Sequence, residues 1–116
     1  MTRARWTVLV GRLAGQDIQQ IFRRSRENFG LDQAQRYRQL IRDSITALHE
    51  GPAALGSRPM PEISPGARIL HIGRKGRRGR HLLLYRDAGM NRIMIGRVLH
   101  DAMDIMRHVP DEGDWT

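Results

Sequence analysis

The spacing of hydrophobic positions changes period three times along the chain. Between Arg5 and Gly11 it alternates, with Trp6, Val8 and Val10 on one side. A two-residue repeat of that length predicts a short strand at a sheet edge. From Ala14 the spacing lengthens, and Ala14, Ile18, Ile21, Phe22, Ser25 and Phe29 fall on one helical stripe. Arg23, Arg24, Arg26 and Glu27 lie off it. Gly30 is the expected stop, since glycine takes the left-handed conformation that closes a helix. Asp32 followed by Gln35 resembles a capping box opening a second helix. Its apolar face is Ala34, Tyr37, Leu40, Ile41, Ile45 and Leu48, and Gly51 and Pro52 end it. Two amphipathic helices joined so tightly form an antiparallel hairpin. The expected core includes Ile21, Phe29 and Ile41.

After a Pro-, Gly- and Ser-rich loop at 52–65, the pattern becomes strand-like. Three runs, "ARILHIG", "RHLLLYRD" and "NRIMIGRVLH", are joined by the short links "RKGRRG" and "DAGM". Short links between successive strands predict an antiparallel meander. A short helix over Asp101 to His108 follows, and the acidic tail "DEGDWT" is expected to be loose. The fold class is α+β, with the hairpin burying its stripes on the sheet.

Composition narrows the function. The 116 residues carry a net charge of +8, nearly all of it arginine, with Lys75 the single lysine. Such a surface suits a polyanionic partner, and the plainer alternative is a solvated basic face. There is no cysteine, which excludes disulfides and thiolate metal sites and suits the cytoplasm. No apolar run approaches the roughly 18 to 20 residues of a membrane span. The opening "MTRARWTVLVGRLAG" has a basic start, but Arg12 interrupts its apolar run, so it reads as a strand and not a leader.

Two stretches could carry chemistry. In "RVLHDAMDIMRHVP", His100, Asp104 and His108 are four residues apart and would share a helix face, as a metal site or proton relay requires. A helix beginning only at Asp101 leaves His100 on the strand, so neither a metal nor a cofactor is assigned. In the plain reading Asp104 pairs with Arg97 or a histidine, while Leu99, Met103 and Met106 dock the helix on the sheet. The second stretch is "GRKGRRGR", where five of the seven residues from Arg74 to Arg80 are basic. Arg74, Lys75, Arg77, Arg78 and Arg80 on a glycine-rich link could follow a phosphate backbone. No aromatic is interleaved, so the link offers no base stacking. The alternative is a solvated turn.

The strings "AGQDIQQIF", "FGLDQAQRYRQLI", "HLLLYR" and "IGRVLHDAMDIMRHVP" resemble ParE-type toxins of the RelE/ParE toxin–antitoxin superfamily, over roughly Arg5 to Pro110. The resemblance implies one toxin domain over 1–116, ordered over about 5–110 and ending in the acidic tail 111–116. It implies a helical hairpin on one side of a twisted antiparallel sheet and a short C-terminal helix. It also implies a hetero-oligomer with a cognate acidic, ParD-like antitoxin that brings the toxin to operator DNA. An amphipathic antitoxin segment would lie on the hairpin, with Ile18, Phe22 and Tyr37 as contacts. ParE-type members poison DNA gyrase, here with or without its DNA, whereas RelE-type cousins cut mRNA on the ribosome. Fold alone does not separate these targets. For an RNase the candidate catalytic residues are Arg86, Arg97 and His100. Strand alternation puts Tyr85 and Arg86 on opposite faces, so they cannot serve together. A third reading is an inactive relative that only binds its antitoxin.

Overall fold

The computed structural model describes residues 5–74 and 77–115, and the side chains of these outside 74–78. Strand β1 (Thr7–Val10) leads into helices α1 (Arg12–Phe29) and α2 (Leu31–Ala47), followed by strands β2 (Ser57–Pro59), β3 (Ala67–Arg74), β4 (Arg77–Gly89) and β5 (Arg92–His100). The strands form one sheet in the order β1-β5-β4-β3-β2. Strands β3, β4 and β5 are the expected meander. Two features differ from expectation. The sheet is mixed, because β1 runs parallel to β5 with Thr7 beside Arg92 and Val10 beside Ile95. The loop at 52–65 contributes the short edge strand β2, where Pro59 is tolerated because it ends the ladder.

One glycine joins the helices. Gly30 has φ +89°, donates its N–H to the Arg26 carbonyl at 2.9 Å, and accepts from Ala34 N–H at 3.1 Å. It therefore ends α1 and starts α2. The Asp32–Gln35 capping box does not form: Asp32 lies inside the first turn, and no side chain caps the helix. Phe29, expected in the core, is 71% exposed. It stands seven residues beyond Phe22, about 20° round the helix by the 3.6-residue repeat. Both belong to the outer side of the stripe, whereas Ala14 and Ile21 turn inward to the core. Ile41 is buried as expected.

Both faces of the sheet are covered. On the helix side Ala14, Ile41, Leu48, Leu70, Ile72, Leu83, Tyr85, Ile93, Ile95 and Val98 form a core, flanked by Trp6 and Val8. On the rear, Ile69, Leu82, Leu84, Leu99 and Trp115 form a second one with Met60, Ile63, Met94, Ile105 and Val109. That is why "HLLLY" reads as an unbroken apolar run: alternate side chains enter different cores.

The C-terminal segment supplies the rear layer, in a form the sequence did not announce. Among the described residues there is no α-helix after His100, and the segment holds two 3₁₀ turns, Ile105–Arg107 and Glu112–Asp114. Asp104 accepts the Met106 N–H at 3.2 Å, a local bond that competes with helix formation. Asp104 pairs with Arg107 and not Arg97, Met103 and Met106 are exposed, and Ile105 and Val109 do the docking instead. The tail, expected to be loose, is fastened: Trp115 is 2% exposed. Its ring lies against Gly96, the extra residue of a bulge where Leu84 pairs with Arg97 but Tyr85 with Ile95. A Cβ at Gly96 would sit 2.6 Å from that ring.

Candidate functional sites

Basic side chains gather in four places, and the sequence-derived candidates are divided among them. The first is a groove on the outer side of the hairpin, lined by Ile18, Gln19, Phe22, Arg23, Arg26 and Arg38. The Arg38 guanidinium stacks 4.4 Å above the centre of the Phe22 ring. An apolar floor with a rim of three arginines suits an acidic amphipathic helix. Tyr37 does not line this groove and packs, partly buried, on the helix-side core.

The second place is the rear face. Arg86 holds Glu112 through both guanidinium nitrogens, at 3.0 and 3.2 Å, and lies 4.4 Å over the Trp115 ring. This bond holds the Glu112 carboxyl below its ordinary range. Arg12 reaches Asp114 at 3.4 Å. Arg86 is thus engaged by the protein's own tail.

The third place joins α1 to β5. Arg97 donates to both carboxylate oxygens of Asp17, at 2.8 and 2.9 Å, and to the His108 carbonyl at 3.2 Å. Asp17 also accepts the Val98 N–H at 2.9 Å, beyond the stretch of β5 that β1 covers. The Asp17 bond is the main reason the Arg97 pKa is raised.

The fourth place is the end of the sheet beside the arginine-rich link. That link is a β-hairpin, in which β3 and β4 stay paired through Gly73 with Arg78 and Arg74 with Arg77. Lys75 lies outside the described residues, and Arg80 is exposed. Across the ladder His81 faces His100. Their rings meet edge to face at 5.2 Å, and Tyr37 stands edge to face with His81 at 5.5 Å. The Tyr37 hydroxyl and His81 Nδ1 are 2.6 Å apart, and Arg80 N–H donates to that hydroxyl at 3.0 Å. Burial raises the Tyr37 pKa. Burial, reinforced by His100, lowers that of His81 from 6.5 to about 4.

The His81 shift predicts a pH dependence. The unfolded chain takes up this proton near pH 6.5 and the folded chain only near 4. Between these values the unfolded state binds more protons, so stability is lost as the pH falls through that window. The melting temperature is expected to drop from pH 6.5 to 4, and His81→Gln is expected to flatten the drop. An equal drop in the variant would exclude His81 as its source.

The RNase candidates are therefore separated. Arg86 is on the rear face, Arg97 is clamped by Asp17, and His100 is at the sheet end. Nor do His100, Asp104 and His108 share a helix face, because no α-helix forms there. Sequence reasoning gave Asp17 no role, placed His81 on a strand without its partners, and left Trp115 in a tail expected to be loose. Asp17 had left a signal, being three residues from Ala14 and four from Ile21 on the buried side of the stripe.

Comparison with known proteins gives one consistent result. A family model described as "ParE toxin of type II toxin-antitoxin system, parDE" matches residues 8–105. Two relatives called Toxin ParE1, from Mycobacterium tuberculosis strains CDC 1551/Oshkosh and ATCC 25618/H37Rv, are each 32% identical over 92 residues, which is 79% of this chain and 86% of theirs. A solved structure, "Chromosomal ParDE TA system from P. aeruginosa", superposes with a TM-score of 0.68 at 22% identity, covering 82% of this chain and 95% of the other. The superposition shows a shared fold.

Proposed function

Because the chain belongs to the ParE toxin family of type II toxin–antitoxin systems, we propose that it inhibits DNA gyrase in the cytoplasm and is neutralised by a cognate acidic antitoxin. The observation that carries the gyrase reading over RNA cleavage is the separation of Arg86, Arg97 and His100. Two of the three are held by carboxylates of the same chain, so a phosphorane would find no assembled set of cation, base and acid. The toxin binds and holds its target without cutting nucleic acid itself. Arg74, Lys75, Arg77, Arg78 and Arg80 supply the positive charge that attracts the DNA that gyrase carries. The antitoxin lays an acidic amphipathic helix over Ile18 and Phe22, with Arg23, Arg26 and Arg38 pairing its carboxylates, and in the resulting hetero-oligomer it carries the toxin to operator DNA. Tyr37, hydrogen-bonded beneath the sheet end, supports that surface and does not touch the antitoxin.

Induction in a bacterium with and without the antitoxin tests this. Without it, filamentous cells, a DNA-damage response and loss of gyrase supercoiling by the purified chain are expected. Antitoxin co-expression is expected to rescue the wild type but not Phe22→Glu, which puts a like charge in the groove. Intact supercoiling with cut transcripts would overturn the gyrase reading in favour of RNA cleavage. The absence of any growth defect would overturn it in favour of an inactive relative.

A further inference from the structure

The rear face holds an ordered guanidinium whose fork is filled by the chain itself. Arg86 stacks 4.4 Å over the Trp115 ring. That ring is buried against Gly96 and Pro110, so the guanidinium rests on a fixed support. Both terminal nitrogens of Arg86 meet Glu112, one carboxylate oxygen each. Two donors facing two oxygens is a geometry that a phosphate satisfies as well as a carboxylate does. The Arg86 side chain is 19% exposed, whereas that of Glu112 is 81% exposed. The fork therefore opens to the surface, and the carboxylate in it stands largely in solvent. Two residues on, Asp114 takes Arg12, whose side chain is also well exposed. Strand pairing sets Leu9, Met94 and Arg86 side by side across β1, β5 and β4, and paired residues point to one side of a sheet. Met94 packs on the rear core, so Leu9 and Arg86 open on the rear as well, and Arg12 follows Leu9 by three residues. Two carboxylates of one short segment thus sit on two arginines from different elements. Ion pairs this exposed do not hold a segment in place. Trp115 does, and its anchoring gives both carboxylates a high effective concentration at the arginines.

We propose that Arg86 and Arg12 form a phosphate-binding strip on the rear face for a nucleic-acid backbone, and that Glu112 and Asp114 occupy it as a built-in competitor. A ligand that brings more negative charge displaces the two carboxylates without unseating Trp115, and Arg86 stays stacked on the ring with its fork turned outward. The strip is separate from the groove and from the arginine-rich link, and it does not depend on gyrase being the target. Its consequence is selectivity. The tail lowers the affinity of the rear face for phosphate and leaves the positive charge of the rest of the chain as it is.

Fluorescence anisotropy of a labelled DNA duplex, and of a single-stranded RNA of equal length, with the full chain over a KCl series tests this. Glu112→Gln combined with Asp114→Asn keeps Trp115 and the side-chain sizes. It is expected to raise affinity about three- to tenfold at low salt and to steepen the slope of log affinity on log salt by about 2, one for each arginine released. Asp114→Asn alone is expected to give about half that change in slope. Glu27→Gln with Glu62→Gln removes the same two charges from exposed positions elsewhere and is expected to give a smaller gain with the slope unchanged. Adding Arg12→Gln and Arg86→Gln to the tail variant is expected to abolish its gain, and adding Arg12→Gln alone, which leaves the stack on Trp115 untouched, to remove part of it. A gain on the duplex, on the RNA or on both supports the strip and tells which backbone fits it. Binding by the tail variant but not by the wild type supports the strip and overturns the reading of the arginine-rich link as a polyanion contact. Equal gains in the tail variant and the Glu27 and Glu62 variant would overturn the strip in favour of overall charge. No gain, or a gain that survives loss of both arginines, would overturn it too. A gain for polyglutamate with none for either nucleic acid would overturn the assignment to phosphate.

Discussion

Trp115→Ala is expected to cost about 3–5 kcal/mol of folding stability, the range for removing a buried aromatic from a packed core. That would be a large share of the about 5–15 kcal/mol that holds a domain of this size together. The indole is buried by three contributions. Gly96 admits it against the backbone, Pro110 packs within the same space, and Arg86 stacks on its outer side. Truncation leaves a cavity over the bulge and removes the surface that orders Arg86. Urea unfolding followed by far-ultraviolet circular dichroism measures the loss, and a value under about 1 kcal/mol would show that the tail is not part of the core. Gly96→Ala approaches the same contact from the other side, since its methyl group would collide with the ring unless Trp115 moved. The two substitutions share one contact and are expected to be strongly non-additive.

Asp17→Ala has the second largest expected effect, about 2–4 kcal/mol. Both partners of the pair are largely enclosed, with side chains 13% and 21% exposed for Asp17 and Arg97. Removing one partner of a buried pair leaves an uncompensated charge, a loss of about 3–5 kcal/mol when burial is complete, and the residual exposure here reduces it. The Val98 N–H loses its acceptor as well. Asp17→Asn keeps one acceptor but not the charge and should fall between alanine and wild type. Combining Asp17→Leu with Arg97→Met is expected to recover much of the stability, because apolar replacement of a whole pair removes the desolvation cost along with the attraction. If Asp17→Ala unfolds at the wild-type urea concentration, the clamp contributes nothing and α1 is held by its apolar side alone.

The parts of this molecule legible in the sequence are those governed by local periodicity. The hairpin, its glycine joint and the three long strands follow from 3.6- and 2-residue repeats within 20 residues or so. What was not legible depends on distant residues. Nothing near Thr7 announces that its neighbour is Arg92, and nothing near Trp115 points to the bulge at Gly96. The candidate site shows the same division. Ile18 and Phe22 could be assigned to one helix face from the sequence because an apolar stripe on a basic helix is a local pattern, and both line the groove. Arg86 and Arg97 were put forward as catalytic by residue type, and only the fold shows that each is already occupied. His81 matters because it meets His100 across the ladder and Tyr37 from α2, a coincidence of three elements.

The parallel pairing of β1 with β5 has a consequence for how the protein comes into being. Among the described strands β1 has β5 as its sheet neighbour, some 85 residues later in the chain, and Asp17 in the first helix waits for Arg97 and Val98 of that same strand. Until β5 has emerged, the hairpin can form locally, but its inward side has no completed sheet to rest on. Contacts of such long sequence separation close late and leave apolar surface open meanwhile. A translation product cut before β5 therefore cannot complete the sheet, and one cut before Trp115 cannot close the rear core.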